Sequence, residues 1–155
     1  FKTFGKKNSK FQSFGTNYKL SDIQSAVGIA QMNKIERIIK KRIKQAKIYD
    51  ELLSKIDFIE TQKITEKSRH TFQSYVCIIS KAGLRNKIMK NLLQQNIETQ
   101  IGTYALHSLP AFKKIPKRGK LLNSQFLFEN TISLPLHNEL SQSEQEIICK
   151  IIKKY

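Results

Sequence analysis

SDIQSAVGIAQMNKIERIIKKRIKQAKIYDELL, residues 21–53, is the stretch that decides the architecture. Ile23, Ala26, Val27, Ala30, Ile35, Ile38, Ile39, Ile43, Ala46, Ile48 and Leu52 recur at intervals of three and four. That spacing stacks apolar side chains along one stripe of a helix. One long amphipathic helix, or two in line, is expected. Its start is marked by Ser21 and Gln24, a capping-box pair in which the serine oxygen takes a free backbone N–H and the glutamine reaches back to the cap. Lys34, Arg37, Lys40, Lys41, Arg42 and Lys44 fall mostly between the apolar positions and read as a solvated face.

Downstream of this helix the period changes. FQSYVCIIS, residues 72–80, is a short β-branched and aromatic run, which favours a buried strand over a helix. LRNKIMKNLLQQNI, residues 84–97, returns to helical spacing. ETQIGTYAL, residues 98–106, reads as a second strand broken by Gly102 and followed by a loop in which Pro110, Pro116 and Gly119 forbid regular structure. Such a loop is a natural place for ligand contacts. GKLLNSQFLFENT, residues 119–131, is again helical, and TISLPLH, residues 131–137, is a strand that Pro135 ends or confines to an edge. A last helix starts near Ser141, where Ser141 and Glu144 repeat the capping-box spacing. The order strand, helix, strand, helix, strand, helix predicts a compact α/β sandwich.

Upstream, FKTFGKKNSKFQSFGTNYK has no clear period and reads as a segment cut from something larger. The 155 residues are enough for one domain with a respectable core.

The formal net charge of +16 raises nucleic acid or an anionic membrane as partners. Only Arg37, Arg42, Arg69, Arg85 and Arg118 are arginines. The excess is therefore lysine, spread from Lys2 to Lys154, whereas readers of nucleic acid cluster charge and favour the bidentate guanidinium. A lysine-biased domain without a nucleic-acid partner is the expectation. No apolar run approaches a membrane span, nothing resembles a signal peptide, and the cytoplasm is the default location. Cys77 and Cys149 sit in apolar runs as small hydrophobes rather than a disulfide framework. His70, His107 and His137 show none of the close pairings of a zinc site, so no metal is expected. No phosphate loop and no nucleophile elbow occurs.

Residues 15–53 nevertheless resemble the stretch G-x-N-x-R-[LM]-[ST]-[DE]-x-x-A-A-x-G-x-x-Q-L of the DegT/DnrJ/EryC1/StrS sugar aminotransferases, at Gly15, Asn17, Leu20, Ser21, Asp22, Ala26, Gly28 and Gln31. Further along, RHTFQSYVCII is similar to that family's H-x-[FY]-x-x-Y strand. NIETQIGTYALHSLPAFK resembles its variable H-Y-x-P-L-H-x-x-P-A-F loop, and ISLPLHNELSQSEQEII its closing segment. Lys19, Ser25, Thr103 and Asn138 depart from the pattern, and the Thr103 change removes one loop histidine.

The resemblance implies the small C-terminal domain of the aspartate-aminotransferase-like, type I pyridoxal-phosphate fold. Residues 1–20 would be a remnant of the large-domain or linker segment, 21–54 a long connecting helix, and 55–155 a small α/β domain with a sheet covered by helices. It implies an enzyme that moves an amino group, usually from glutamate, onto a keto sugar nucleotide for polysaccharide or glycan synthesis, as a homodimer with shared active sites. In this family pyridoxal 5′-phosphate is held by a lysine of the large domain. No lysine here stands in that context, so this chain would carry no catalytic residue and would not transaminate alone. By resemblance Asn17 reaches the cofactor phosphate of the neighbouring subunit, and His107, with Tyr104, lies near the sugar nucleotide. Read from local chemistry alone, Asn17 belongs to a turn before the helix cap, and His107 packs under Pro110 and Phe112. His70 and His137 are expected to be structural. Two other functions stay open at this point: a non-transaminating relative, dehydratase or regulator, and a basic nucleic-acid-binding domain.

Overall fold

The structure, a computed structural model, describes residues 6–7, 10–11 and 19–155. Its contacts divide the chain into two compact units, Phe1–Arg37 and Ile38–Tyr155. The first contains a short antiparallel pair, β1 (Lys6–Lys7) and β2 (Lys10–Phe11), and helix α1 (Asp22–Met32). Ser21 caps α1 as its spacing predicts: the Gln24 amide donates to Ser21 Oγ at 3.3 Å, and the Ser21 amide donates to Gln24 Oε1 at 3.1 Å. Helix α2 (Ile35–Leu53) begins three residues after α1 ends, so the helical stretch is two helices rather than one. No residue of α1 is buried, and Ile23 and Ile29 keep 79% and 65% of their surface. The capping box fixes the first turn of this exposed helix.

In the second unit, strands β3 (Ile59–Glu60), β4 (Tyr75–Ile79), β5 (Gln100–Ile101) and β6 (Thr131–Leu134) form one sheet in the order β3-β4-β6-β5. Every neighbouring pair is antiparallel. Because β4 and β5 both run against β6, they are parallel to each other with β6 inserted between them. Helix α3 (Leu84–Gln94) makes the crossover, a split βαβ unit. Helix α4 (Leu122–Asn130) precedes β6, and α5 (Gln142–Ile152) closes the chain. The expected alternation is present, with one strand, β3, that is too short to show a period. The strands are also shorter than the apolar runs that contain them: β6 stops at Leu134, where Pro135 has no N–H to donate.

One face of the sheet builds the core. In β4 the side chains of Tyr75, Cys77 and Ile79 are buried while Val76 and Ile78 are half-buried, the period of two that a strand demands. The register puts Tyr75 opposite Leu134, Cys77 opposite Ile132 and Ile79 opposite Ile59, so six inward side chains form one surface. Tyr49 and Leu53 of α2, Ile88 and Leu92 of α3, and Ile148 and Ile152 of α5 join it in a single buried cluster. Each such side chain contributes about 1.5–3 kcal/mol on burial, and core burial therefore outweighs any one surface contact in holding this unit.

Polar side chains lock α2 onto the sheet. Tyr49 Oη donates to the Pro135 carbonyl at 3.0 Å, and Tyr75 Oη donates to Asp50 Oδ1 at 2.5 Å. Burial drives both phenols far above their ordinary pKa, and for Tyr75 the hydrogen bond to Asp50 adds to it. Both stay protonated donors. Gln45, buried on α2, donates from Nε2 to the carbonyls of His137 and Leu140, each at 2.8 Å, and the fully buried Gln145 donates back to the Gln45 carbonyl at 2.8 Å. Cys77 and Cys149 are free and buried, as expected, with burial the first cause that pushes both thiols up to about 12.

Candidate functional site

Residues 102–121 form the loop where the sequence places Tyr104 and His107. Its entry is set by Gly102: a Cβ there would lie 2.5 Å from Val76 Cγ1 and 2.7 Å from Thr131 Oγ1. Only a glycine lets the chain pass so close to the sheet, which is why β5 ends at Ile101. The loop is not free of regular structure, contrary to the reading of its prolines. Two 3₁₀ turns occupy it, Leu106–Ser108 and Pro110–Phe112, the second starting on a proline whose missing N–H has no helical partner to lose.

Tyr104, His107 and Phe112 share one cleft of about 490 Å³ with Lys117 and Arg118. Tyr104 is half exposed, with its ring centroid 6.0 Å from that of Phe128 on α4, and His107 is partly buried in the first 3₁₀ turn. A phenol that can donate and accept, beside an imidazole that can do both, suits recognition of sugar hydroxyls. Pro110 is not among the cleft's lining residues, whereas Phe112 is. The loop is tied down by a chain of side chains invisible to motif reading. Ser108 Oγ donates to Gln125 Oε1 at 2.8 Å, and Gln125 Nε2 donates to Glu129 Oε1 at 2.5 Å. The spacing of Gln125 and Glu129, four apart on α4, is the one local signal that could have revealed it.

Beneath this network lies Arg85, only 6% exposed, with Nε and Nη1 unpartnered among the described residues. Burial lowers its pKa, and the charge of Glu129 and then Tyr104 work against that shift. Its position in α3 gave no sign of burial, because an arginine one step from an apolar stripe normally carries its head to solvent.

The other histidines have structural work. Phe72 sits at φ +47°, a left-handed conformation that a bulky side chain adopts only when its surroundings impose it. Here the Phe72 amide donates to His70 Nδ1 at 3.0 Å and the two rings meet at 4.3 Å. Arg42 Nη1 donates to the carbonyls of Phe72 and Gln73 at 3.2 and 2.9 Å. The stretch from His70 to Tyr75 is thus a strained corner before β4. His137 offers its carbonyl to Gln45, and the residue lines a second cleft with Glu98 and Glu144.

Asn17 lies outside the described residues. Among the described residues no three histidine, cysteine, aspartate or glutamate side chains converge on a metal-sized position, and no helix is long and apolar enough to cross a membrane. Every lysine from Lys19 to Lys154 is exposed, whereas an amine that condenses with a cofactor aldehyde acts from a desolvated pocket. The described residues therefore do not fit the covalent anchor of pyridoxal phosphate.

The architecture is that of the sugar aminotransferases. A DegT DnrJ EryC1 StrS aminotransferase from Brucella abortus has the same fold over 98% of this chain, with a TM-score of 0.82 and 25% identity, and the match takes up 40% of that protein. The model of the DegT/DnrJ/EryC1/StrS aminotransferase family matches residues 1–153, and the chain belongs to that family. An uncharacterized protein of Methanocaldococcus jannaschii is 30% identical over 145 residues, 90% of this chain. The UDP-4-amino-4,6-dideoxy-N-acetyl-beta-L-altrosamine transaminase of Campylobacter jejuni is 26% identical over 149 residues, 91% of this chain. The chain spans 38% of the length of each of these two relatives. The fold class implied by the sequence resemblance, a small sheet with helices in the type I pyridoxal-phosphate architecture, is thereby established.

Proposed function

We propose that this chain is the C-terminal part of a pyridoxal-phosphate-dependent aminotransferase that moves an amino group, from glutamate, onto a keto sugar nucleotide for polysaccharide or glycan synthesis. The observation that carries it is the cleft in which Tyr104 and His107 come together on the loop that resembles the family's substrate loop. The two side chains orient the sugar by hydrogen bonds to its oxygens, and neither makes or breaks a bond. Binding of this kind raises the rate only by placing the reacting carbon correctly.

The 1–20 segment is the remnant of the large domain or linker, 21–54 the connection, and 55–155 the small domain. Asn17 supplies an uncharged amide donor to the cofactor phosphate of a neighbouring subunit in a cytoplasmic homodimer. The cofactor, when bound in the longer parent, provides the electron sink for amino transfer. The lysine that anchors it belongs to the large domain, so the 155-residue chain alone is inactive.

The test is expression of the complete coding sequence containing this chain. Cofactor absorbance and glutamate-dependent amination of a keto sugar nucleotide are the expected result, with Asn17→Ala weakening cofactor retention and His107→Ala raising the KM for the sugar. A complete protein that binds no pyridoxal phosphate would sink the aminotransferase reading. One that binds it but dehydrates the sugar would identify the non-transaminating relative.

A further inference from the structure

The cleft that holds Tyr104 and His107 also takes in residues 115–118, beyond the loop motif. Lys117 and Arg118 stand on its rim, Leu106, Ile115 and Leu121 form its apolar walls, and no carboxylate lines it. The cleft beside His137, by contrast, carries Glu98 and Glu144. Neither Lys117 nor Arg118 has a side-chain hydrogen bond or ion pair with any described residue. The turn that presents them is built for it. Gly119 takes φ +78° and Leu121 φ +50°, so the chain bends after Arg118 before α4 begins at Leu122. Ile115, at the start of the same segment, keeps 55% of its surface inside an otherwise ligand-sized hollow.

Two unengaged cations beside apolar walls and an aromatic pair form a receptor for an amphiphilic dianion. Both cations are exposed to solvent, and the apolar walls give the uncharged part of a ligand a surface to pack on. Arginine supplies a planar fork for two phosphate oxygens, and lysine supplies a mobile point charge. In a sugar nucleotide the group joined to the sugar is a diphosphate carrying about two negative charges at neutral pH.

We propose that Lys117 and Arg118 anchor the diphosphate of the nucleotide-linked sugar whose ring lies against Tyr104 and His107. This rests on the sugar-nucleotide reading above. It assigns the anion contact to a segment that the family motifs do not cover. It also gives two members of the lysine-rich surplus a task distinct from binding nucleic acid.

The experiment is calorimetric titration of the 155-residue chain with inorganic pyrophosphate and, separately, with UDP-glucose, the latter followed also by the His107 imidazole resonances. The double variant Lys117→Gln/Arg118→Gln is expected to weaken both ligands about tenfold, the scale of one or two lost charged hydrogen bonds. Lys113→Gln/Lys114→Gln removes the same charge from the same segment, but neither lysine lines the cleft. It should change affinity less than about twofold, the residue of long-range attraction once salt screens it. Arg118→Lys, which keeps the charge and loses the fork, should fall between.

Equal losses in the two double variants would mean that the chain attracts anions through net charge alone, and the proposal would fail. UDP-glucose binding that shifts His107 yet ignores Lys117→Gln/Arg118→Gln would overturn the anchor and leave the substrate reading standing. Pyrophosphate binding that needs the pair, with UDP-glucose no tighter and His107 unmoved, would keep the anchor and remove the substrate reading. Absence of binding by either ligand would overturn both.

Discussion

Replacing Gln45 by Met isolates the polar lock between α2 and the segment before α5. Methionine keeps the length and shape of the side chain but has no N–H. The variant loses two hydrogen bonds of 2.8 Å and leaves the carbonyls of His137 and Leu140 without that donor. Each lost bond to a buried acceptor costs about 1–2 kcal/mol. Gln45 Oε1 is itself buried with no partner, so its removal returns about 1 kcal/mol. The expected net destabilisation is about 1–3 kcal/mol. Urea unfolding followed by circular dichroism reads this directly: with a slope of about 1–3 kcal/mol per molar, the midpoint should drop by roughly 1 M at unchanged slope. A midpoint within the error of the parent chain would show that the two donors do no net work, and that apolar packing alone holds α2 in place.

Gly102→Ala should destabilise the second unit by about 1–3 kcal/mol, because the new methyl meets Val76 and Thr131 at 2.5–2.7 Å and both neighbours are β-branched and stiff; an unchanged urea midpoint would contradict the close approach. The thiols of Cys77 and Cys149, buried and held near 12, should ignore a disulfide reagent at pH 8 in the folded chain and react fully once urea unfolds it, and prompt labelling of the folded protein is the outcome against it. Glu144 has its pKa lowered, first by the Ser141 hydroxyl and then by the Ser141 amide, each at 2.7 Å. A depressed folded-state value means that its contribution is present above the unfolded-state pKa and is lost as pH falls through the lower, folded one. Glu144→Gln keeps the capping box that Gln24 already makes at α1 but cannot titrate. Its stability should vary less with pH on the acid side than that of the parent, and parallel curves would refute the assignment.

Much of the fold was legible because it depends on local rules. Ser21 with Gln24 and Ser141 with Glu144 marked two helix starts correctly, since a capping box needs only residues three apart. The alternation of Tyr75, Cys77 and Ile79 marked β4, and Pro135 marked the end of β6, because side-chain direction and a missing N–H are properties of single positions. The break between α1 and α2 was less clear, as apolar spacing runs through Asn33 and Lys34 without a proline to announce it.

For the candidate site, the resemblance singled out Tyr104 and His107, and the fold places both on one cleft. Lys117 and Arg118 were two cations among 28, and only the turn at Gly119 sets them on its rim. The order β3-β4-β6-β5, the insertion of β6 between two parallel strands, the burial of Arg85 and the left-handed Phe72 corner belong to the same class. Each is fixed by contacts between residues tens of positions apart, Arg42 with Phe72 or Gln45 with Leu140. Periodicity and capping act within a few residues, so they determined the elements of this protein; which elements meet, and which charges are left facing an open cleft, was decided by the burial that only the assembled sheet and helices provide.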